Sequence, residues 1–403
     1  MPKRWVWEAY KRLKQIGAAG VDEQSIEVFE ADLQSNLYKL WNRMSSGSYF
    51  PPPVKRVQID KRAGGKRPLE IPAVSDRVAQ AVAKGYLEPD LEKHFHPDSF
   101  GYRPGKSALD AVGVARRRCW RHPFVLDLDI RAYFDSISHE LLLKAIRKHT
   151  DCAWALLYME RWLKAAVQLE DGTPEPLEKG TPQGSVVSPL MANLFLHYAF
   201  DMWMRRNHPS IPFERYADDI LCHCDSERQA PELKEALAKR FAECGLELHP
   251  DRRRSSIVRM TTGELNRNST FWATRSAPVG RRTIGRSTSS TSAPVSAMPR
   301  RKQSDRKSVP GNYCRVDKRI DDLARMFNPI IRSWMNYYGR YYKSALYPTL
   351  RHPDRCLARW AVSKYKRLRR HRRPAEHWVG DIACRTPTLL ANWPMLHKTA
   401  AGR

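Results

Sequence analysis

Apolar residues recur at helical spacing through the first 50 positions, with one break at Gly17-Ala18-Ala19-Gly20, and predict an amphipathic helical segment. Pro51-Pro52-Pro53 cannot continue a helix and stops it. Val54-Lys55-Arg56-Val57-Gln58-Ile59 then alternates apolar and polar, the period of a strand with one solvated face. Ala63-Gly64-Gly65-Lys66-Arg67-Pro68 reads as a turn, and Leu69-Glu70-Ile71-Pro72 as the returning arm of a hairpin. A helix is expected over about 76–91. Phe124-Val125-Leu126-Asp127-Leu128-Asp129-Ile130 is a strand with acids at alternate positions. Ser138 is placed to N-cap the helix that follows it. A further apolar helix covers roughly 187–205 and leads to a hairpin around Tyr216. Over about 252–314 the pattern collapses into Ser, Thr, Arg and Pro without a period, and helical order returns near Asp317. That window is expected to be irregular, because it lacks the apolar residues that would bury a core.

Length and charge sharpen this picture. With 403 residues there is room for two or three domains with their own cores. Lys and Arg number 70 against 43 Asp and Glu, a net +27 that favours a polyanionic partner through counterion release. A generically basic, well-solvated surface is the alternative. No stretch approaches the roughly 18 apolar residues of a spanning helix, so no membrane partner is expected. Met1-Pro2-Lys3-Arg4 lacks the apolar run of a signal peptide. Eight cysteines without a CxxC pair indicate neither a disulfide framework nor a zinc knuckle. Cys222-His223-Cys224 is spaced too tightly for a usual zinc site and reads as strand packing. The expected compartment is reducing, the cytoplasm.

Chemistry enters with the acids. Adding a nucleotide to a 3′-hydroxyl uses two divalent ions about 3.5–4 Å apart, which clamp the attacking and leaving oxygens. Magnesium takes oxygen ligands and keeps several waters, so a few carboxylates suffice. Asp218-Asp219, between Phe213-Glu214-Arg215-Tyr216 and Ile220-Leu221-Cys222, fit the tip of a hairpin. Adjacent acids repel unless cations remove the cost. An exposed turn is the plain alternative, and the pair alone decides nothing. Asp129, at the end of its apolar strand, is the candidate third carboxylate.

The constellation resembles the reverse transcriptases of bacterial group II introns over nearly the whole chain outside 252–314. Tyr216-Ala217-Asp218-Asp219 is similar to that family's Tyr-x-Asp-Asp box, and Asp129-Ile130-Arg131-Ala132-Tyr133-Phe134-Asp135 to its Asp-Ile-Lys-x-Phe-Phe-Asp segment. The resemblance implies Asp129, Asp218 and Asp219 as catalytic, with Ile130 beside them as a metal-binding position, around two Mg²⁺ ions. It implies Phe134 as the ring that excludes a 2′-hydroxyl, with core packing as the alternative. Gly180-Thr181-Pro182-Gln183-Gly184-Ser185 resembles the nucleotide-pocket segment, which implies Gln183, Gly184 and Tyr216 as nucleotide-binding. Arg67, with Lys61 and Lys66, stands where the family places cations for the triphosphate; for the lysines a solvated hairpin face is the alternative, preferred for Lys66. Phe100-Gly101-Tyr102-Arg103-Pro104-Gly105-Lys106-Ser107 resembles a template-contacting loop, with Arg103 and Lys106 on RNA.

Asn328-Pro329-Ile330-Ile331-Arg332-Ser333-Trp334-Met335-Asn336-Tyr337-Tyr338-Gly339-Arg340-Tyr341-Tyr342 is similar to the maturase domain of these intron proteins. This separates them from retroviral, retron and other reverse transcriptases; a non-catalytic RNA-binding protein that only assists splicing and a degenerate intron protein are the alternatives. Lys364 to Arg373 holds seven Lys and Arg in ten residues and reads as an RNA-binding helix. Arg332, Trp334, Tyr337, Lys364, Arg367 and Arg370 are the RNA-binding candidates. No Cys-pair or His-rich nuclease module follows, so the family's endonuclease domain is expected to be missing. After Leu246-Glu247-Leu248-His249-Pro250-Asp251 the family pattern is lost. Two stretches of 252–314 can be back-translated so that one shifted frame restores the family strings, and the window is read as translated out of frame.

The fold class expected is α+β: a right-hand polymerase of fingers, palm and thumb, then an α-helical maturase domain. The segments would be 1–50 helical, 51–251 fingers and palm, 252–314 the thumb position, and 315–403 basic and RNA-binding. Implied partners are the intron RNA, a DNA target or primer and dNTP substrates, with nucleoid association when on DNA.

Overall fold

Lys3–Leu13 (α1) turns Val6, Ala9 and Tyr10 inward, three- and four-residue spacing that gives one buried face. In this computed structural model the described residues are 1–13, 18–60, 66–249, 256–259, 319–338, 347–368 and 372–396. They fall into two units, Met1–Leu265 and Asn266–Arg403. Helix and strand are mixed in an α+β arrangement, and no described helix is long and apolar enough to cross a membrane.

In the first unit, Ile26–Ala31 (α2) and Leu33–Ser45 (α3) follow α1 and end before the three prolines. Val54–Asp60 (β1) and Lys66–Ile71 (β2) pair antiparallel from Lys55↔Ile71 to Asp60↔Lys66. The return arm therefore begins at Lys66: Lys66, Arg67 and Pro68, expected in the turn, belong to the strand. Pro68 costs the ladder a donor, which an edge strand tolerates. Val74–Leu91 (α4) is buried on nearly every side over its first ten residues, polar Asp76, Arg77 and Gln80 included, and runs through the core. Ser107 opens Ala108–Cys119 (α5) with a reciprocal capping box to Asp110, which satisfies two orphan donors. Ser138 caps His139–Arg147 by accepting from Leu141, as its position predicts.

Phe124–Asp129 (β3), Phe213–Tyr216 (β6), Asp219–Cys224 (β7) and Ser256–Arg259 (β8) form the sheet that positions the chemistry, in the order β6-β7-β3-β8, while the short Val167–Gln168 (β4) and Pro174–Glu175 (β5) extend the sheet of β1 and β2. Period two divides the β6-β7-β3-β8 sheet. Leu126, Leu128, Ile220, Cys222, Cys224 and Phe213 enter the apolar core with the helix Ser188–Leu196, so the two cysteines are packing residues. The opposite face carries Asp127, Asp129, Glu214, Asp219 and His223. β8 pairs antiparallel with β3 through Ile257 and Val258, so irregular structure is not what residues 256–259 adopt. Two β-branched residues in a row suit a strand, whatever the surrounding composition. The rest of 252–314 lies outside the described residues.

The second unit packs the helices Ile320–Tyr338, Tyr347–Lys364 and Arg372–Arg385 around Trp360 and Trp393. A single basic helix over 364–373 does not form. The helix stops at Lys364, and Lys366–Leu368 is a 3-10 turn that buries Leu368.

Candidate active site

Asp129 and Asp219 are direct cross-strand partners on β3 and β7, and Tyr216 faces Asp219 from β6, closing a two-residue turn at Ala217-Asp218. Directly opposed side chains have Cβ atoms about 4.5–5.5 Å apart, where like charges destabilise a sheet. Asp129 is buried, so its carboxylate has little water to offset that repulsion. The donor set is all oxygen, the kind a hard divalent cation takes. It is not a closed cage: among the described residues no three Asp, Glu, His or Cys side chains gather as a metal group. Asp218, half-exposed at the turn, is near enough for its charge to act on the buried Arg215 and Tyr133. The side chain of Ile130 is in the core, which leaves its main-chain carbonyl as the only ligand it can offer.

Three other motifs close around this tip. Phe100-Gly101 crosses it: Phe100 N donates to Arg215 O at 2.8 Å, and Ser99 bridges Arg215. Only glycine fits at 101, since a Cβ there would overlap Ala217 N. The 180–184 loop lies against the turn after β3, with Thr181 N donating to Phe134 O at 2.8 Å and Gln183 Nε2 reaching Asp135 Oδ1 at 3.5 Å. On its other side Gln183 N donates to the Glu70 carboxylate, while Glu70 N donates to Gln183 O at 2.9 Å. Gly184, at φ +134°, lies where a Cβ would overlap Glu70 O. Thus the hairpin arm β2, Phe134-Asp135, Gln183-Gly184 and the Tyr216–Asp219 hairpin are linked. Phe134 is half-buried and edge-on to Tyr133 and Tyr102, with ring centres 5.5 and 6.4 Å away. Tyr102, Ala132 and Ala217 all hold positive φ, and such strained non-glycine residues gather at functional sites.

The two basic residues of the 100–107 loop bond to the segment just before it. Arg103 is spent internally, donating to Glu92 Oε2 at 2.9 Å and to the carbonyls of His96 and Ser99, with its side chain 6 % exposed. Lys106 donates to Pro97 O and lies over the Phe100 ring at 4.8 Å. Both staple the loop to itself, because its tight turns leave carbonyls that need donors. Arg67 is on β2 opposite Ile59, but its side chain, like all of Lys61, is outside the described residues. In the second unit Arg332 and Arg367 are exposed, and Lys364 lies over Trp360 at 5.0 Å. Arg370 and the side chains of Trp334 and Tyr337 lie outside the description.

Sequence reasoning missed Glu70, and it missed the buried pair Asp201–Arg215, 2.7 Å apart. The available signal was a charged Glu214-Arg215 step inside a short apolar strand, which burial makes expensive unless fully partnered.

A polymerase-type acidic hairpin with these flanking motifs has its counterpart in known families. Residues 59–260 match the family described as "Reverse transcriptase (RNA-dependent DNA polymerase)", and the chain belongs to it. Residues 315–378 match "Group II intron, maturase-specific domain", so this is a reverse transcriptase of the group II intron-encoded kind. Protein YkfC of Escherichia coli K12 is 34 % identical over 214 residues, covering 51 % of this chain and 56 % of the relative. The group II intron-encoded protein LtrA of Lactococcus lactis subsp. cremoris is 32 % identical over 194 residues, 47 % of this chain and 32 % of that protein. The putative COX1/OXI3 intron 1 protein of Saccharomyces cerevisiae is 27 % identical over 196 residues, 49 % of this chain and 23 % of its own length. The matches thus span from about a quarter to about half of these relatives.

Proposed function

We propose that the chain is an RNA-directed DNA polymerase and intron maturase that serves group II intron splicing and mobility. The observation that carries the polymerase half is Asp129 set directly opposite Asp219, beside Asp218 at the hairpin tip. These three carboxylates would hold two Mg²⁺ ions, which when bound activate the 3′-hydroxyl and offset charge on the leaving pyrophosphate. Gln183 and Gly184 line the incoming deoxynucleotide, Tyr216 stands beside the acids, and Phe134 occupies the edge where a 2′-hydroxyl would enter. Arg67 and Lys61 face the triphosphate. The expected fold is fingers and palm in the first unit and a helical maturase domain in the second, with residues 252–314 at the thumb position. Arg332, Trp334, Tyr337, Lys364, Arg367 and Arg370 bind intron RNA through phosphates and stacked bases.

Primer extension by the purified chain on an RNA template with dNTPs and Mg²⁺ tests this directly. Extension that is lost in Asp218→Ala is expected; equal extension in wild type and variant would end the reading.

One observation favours a second reading, a splicing maturase without polymerase activity. Neither family match covers 261–314, the greater part of the 252–314 window read as out of frame. RNA binding and splicing assistance that survive in a chain unable to extend a primer would support it. The gene sequence tests the frame: codons unable to spell the family strings in the shifted frame exclude it.

A further inference from the structure

Arg215 is fully buried, and its guanidinium bonds to the frame of the hairpin tip. Nε and Nη2 donate to the two oxygens of Asp201 at 2.8 and 2.7 Å. Nη1 donates to Asn193 Oδ1 and to the Ala217 carbonyl, both at 3.0 Å. Asn193 in turn donates through Nδ2 to Gly101 O at 2.6 Å, on the segment that crosses the tip. One guanidinium therefore ties a helix, the crossing loop and the residue just before Asp218.

The helix is shaped for this. Asn193 and Asp201 are eight residues apart, which in a straight α-helix leaves them about 80° out of line. His197–Asp201 is a π-turn, and its wider winding takes up that difference so that both side chains reach one arginine. A π-turn and a buried ion pair both cost stability compared with a plain helix packed by hydrocarbon. The Ala217 backbone, at φ +57°, is also in a conformation that alanine disfavours. The clamp holds a strained turn at the point where two acids must be presented together.

We propose that Arg215, held by Asp201 and Asn193, is a positioning residue that fixes the Ala217-Asp218 turn so that the acids of the tip can take divalent cations. The inference rests on the metal-binding reading of Asp129, Asp218 and Asp219. Arg215→Lys keeps the charge beside Asp201 but cannot reach three acceptors, since an ammonium is a point donor without the planar fork. Asn193→Ala leaves the ion pair whole and removes the tie to Gly101.

The test compares wild type, R215K, N193A and D218N as full chains, with three readouts: the shift in Tm caused by Mg²⁺, the Mg²⁺ concentration for half-maximal primer extension, and primer–template affinity in EDTA. In R215K and N193A the Mg²⁺ requirement should rise about tenfold, the size seen when groups supporting metal ligands are lost. Their Mg²⁺-induced Tm shift should shrink towards that of D218N, with affinity in EDTA unchanged. Unchanged Mg²⁺ requirement and Tm shift in both variants overturns the clamp and leaves the polymerase reading standing. A wild-type chain that responds to Mg²⁺ in Tm but does not extend removes the polymerase reading, and the clamp is then decided by the Tm shift alone. A wild type with no Mg²⁺ response removes both. If R215K does not fold, N193A decides.

Discussion

Glu70 and Gln183 hold one another twice: the Gln183 N–H donates to the Glu70 carboxylate, and the Glu70 N–H donates to the Gln183 carbonyl at 2.9 Å. This joins the β1–β2 hairpin to the loop at the proposed nucleotide pocket, although 113 residues separate them. Arg56 binds the same carboxylate at 3.2 Å, while burial pushes the carboxyl above its ordinary pKa. Glu70→Ala leaves the Gln183 N–H without its acceptor and the Arg56 guanidinium with Glu175 alone. It should cost about 1–3 kcal/mol in urea unfolding. Because the pocket loop loses its anchor and the acids do not, KM for dNTP should rise more than kcat falls in steady-state extension.

The opposed acids make a second prediction. Removing one charge from a like-charged set relieves repulsion when no cation is present. Asp219→Asn should therefore raise Tm in EDTA, and the stabilisation that Mg²⁺ gives the wild type should be largely lost. Extension should fall below detection in the same variant. A lower Tm in EDTA would mean that Asp219 is a structural acceptor and not one of a repelling pair.

The tip hairpin, β3 and the Ser138 cap were legible because each is written in consecutive residues, as alternation, turn or cap. The internal bonds of Arg103 and Lys106 were not legible: a basic side chain in a turn-rich loop has carbonyls close at hand, and the sequence does not show their direction. Glu70, Asp201 and Asn193 were invisible because their meaning lies in partners far along the chain. The 256–259 strand was hidden by its neighbours, since a window average follows the surrounding Ser and Arg and not the two residues that pair with β3.

Asp76 gives a pH-dependent prediction. It is buried on α4, where it accepts from Tyr49 Oη, Trp162 Nε1 and Gln80 Nε2, each at 2.8 Å. Burial outweighs these bonds and raises its pKa from 3.8 to about 6. The folded state thus holds the proton more tightly than the unfolded one. The contribution is fully present below pH 4 and is lost as pH rises to about 6, by on the order of 3 kcal/mol. Asp76→Asn, which cannot ionise, should flatten this dependence. The check is the wild-type minus variant unfolding free energy at pH 4.5, 5.5 and 7, and a constant difference would show that Asp76 ionises normally.

The second unit yields a prediction about salt. Lys366 and Arg367 are exposed on the 3-10 turn that follows the Trp360 helix, and no ion pair holds either among the described residues. If they neutralise RNA phosphates, each releases about one counterion on binding. Lys366→Gln with Arg367→Gln should lower the slope of log K against log salt by up to about 2. Affinity for a structured intron RNA should fall most at low salt, and thermal stability should stay put because neither side chain is in the core. Primer extension on a short template should be unaffected, which separates this surface from the acids of the first unit. An unchanged salt slope would place the RNA elsewhere on this strongly basic chain.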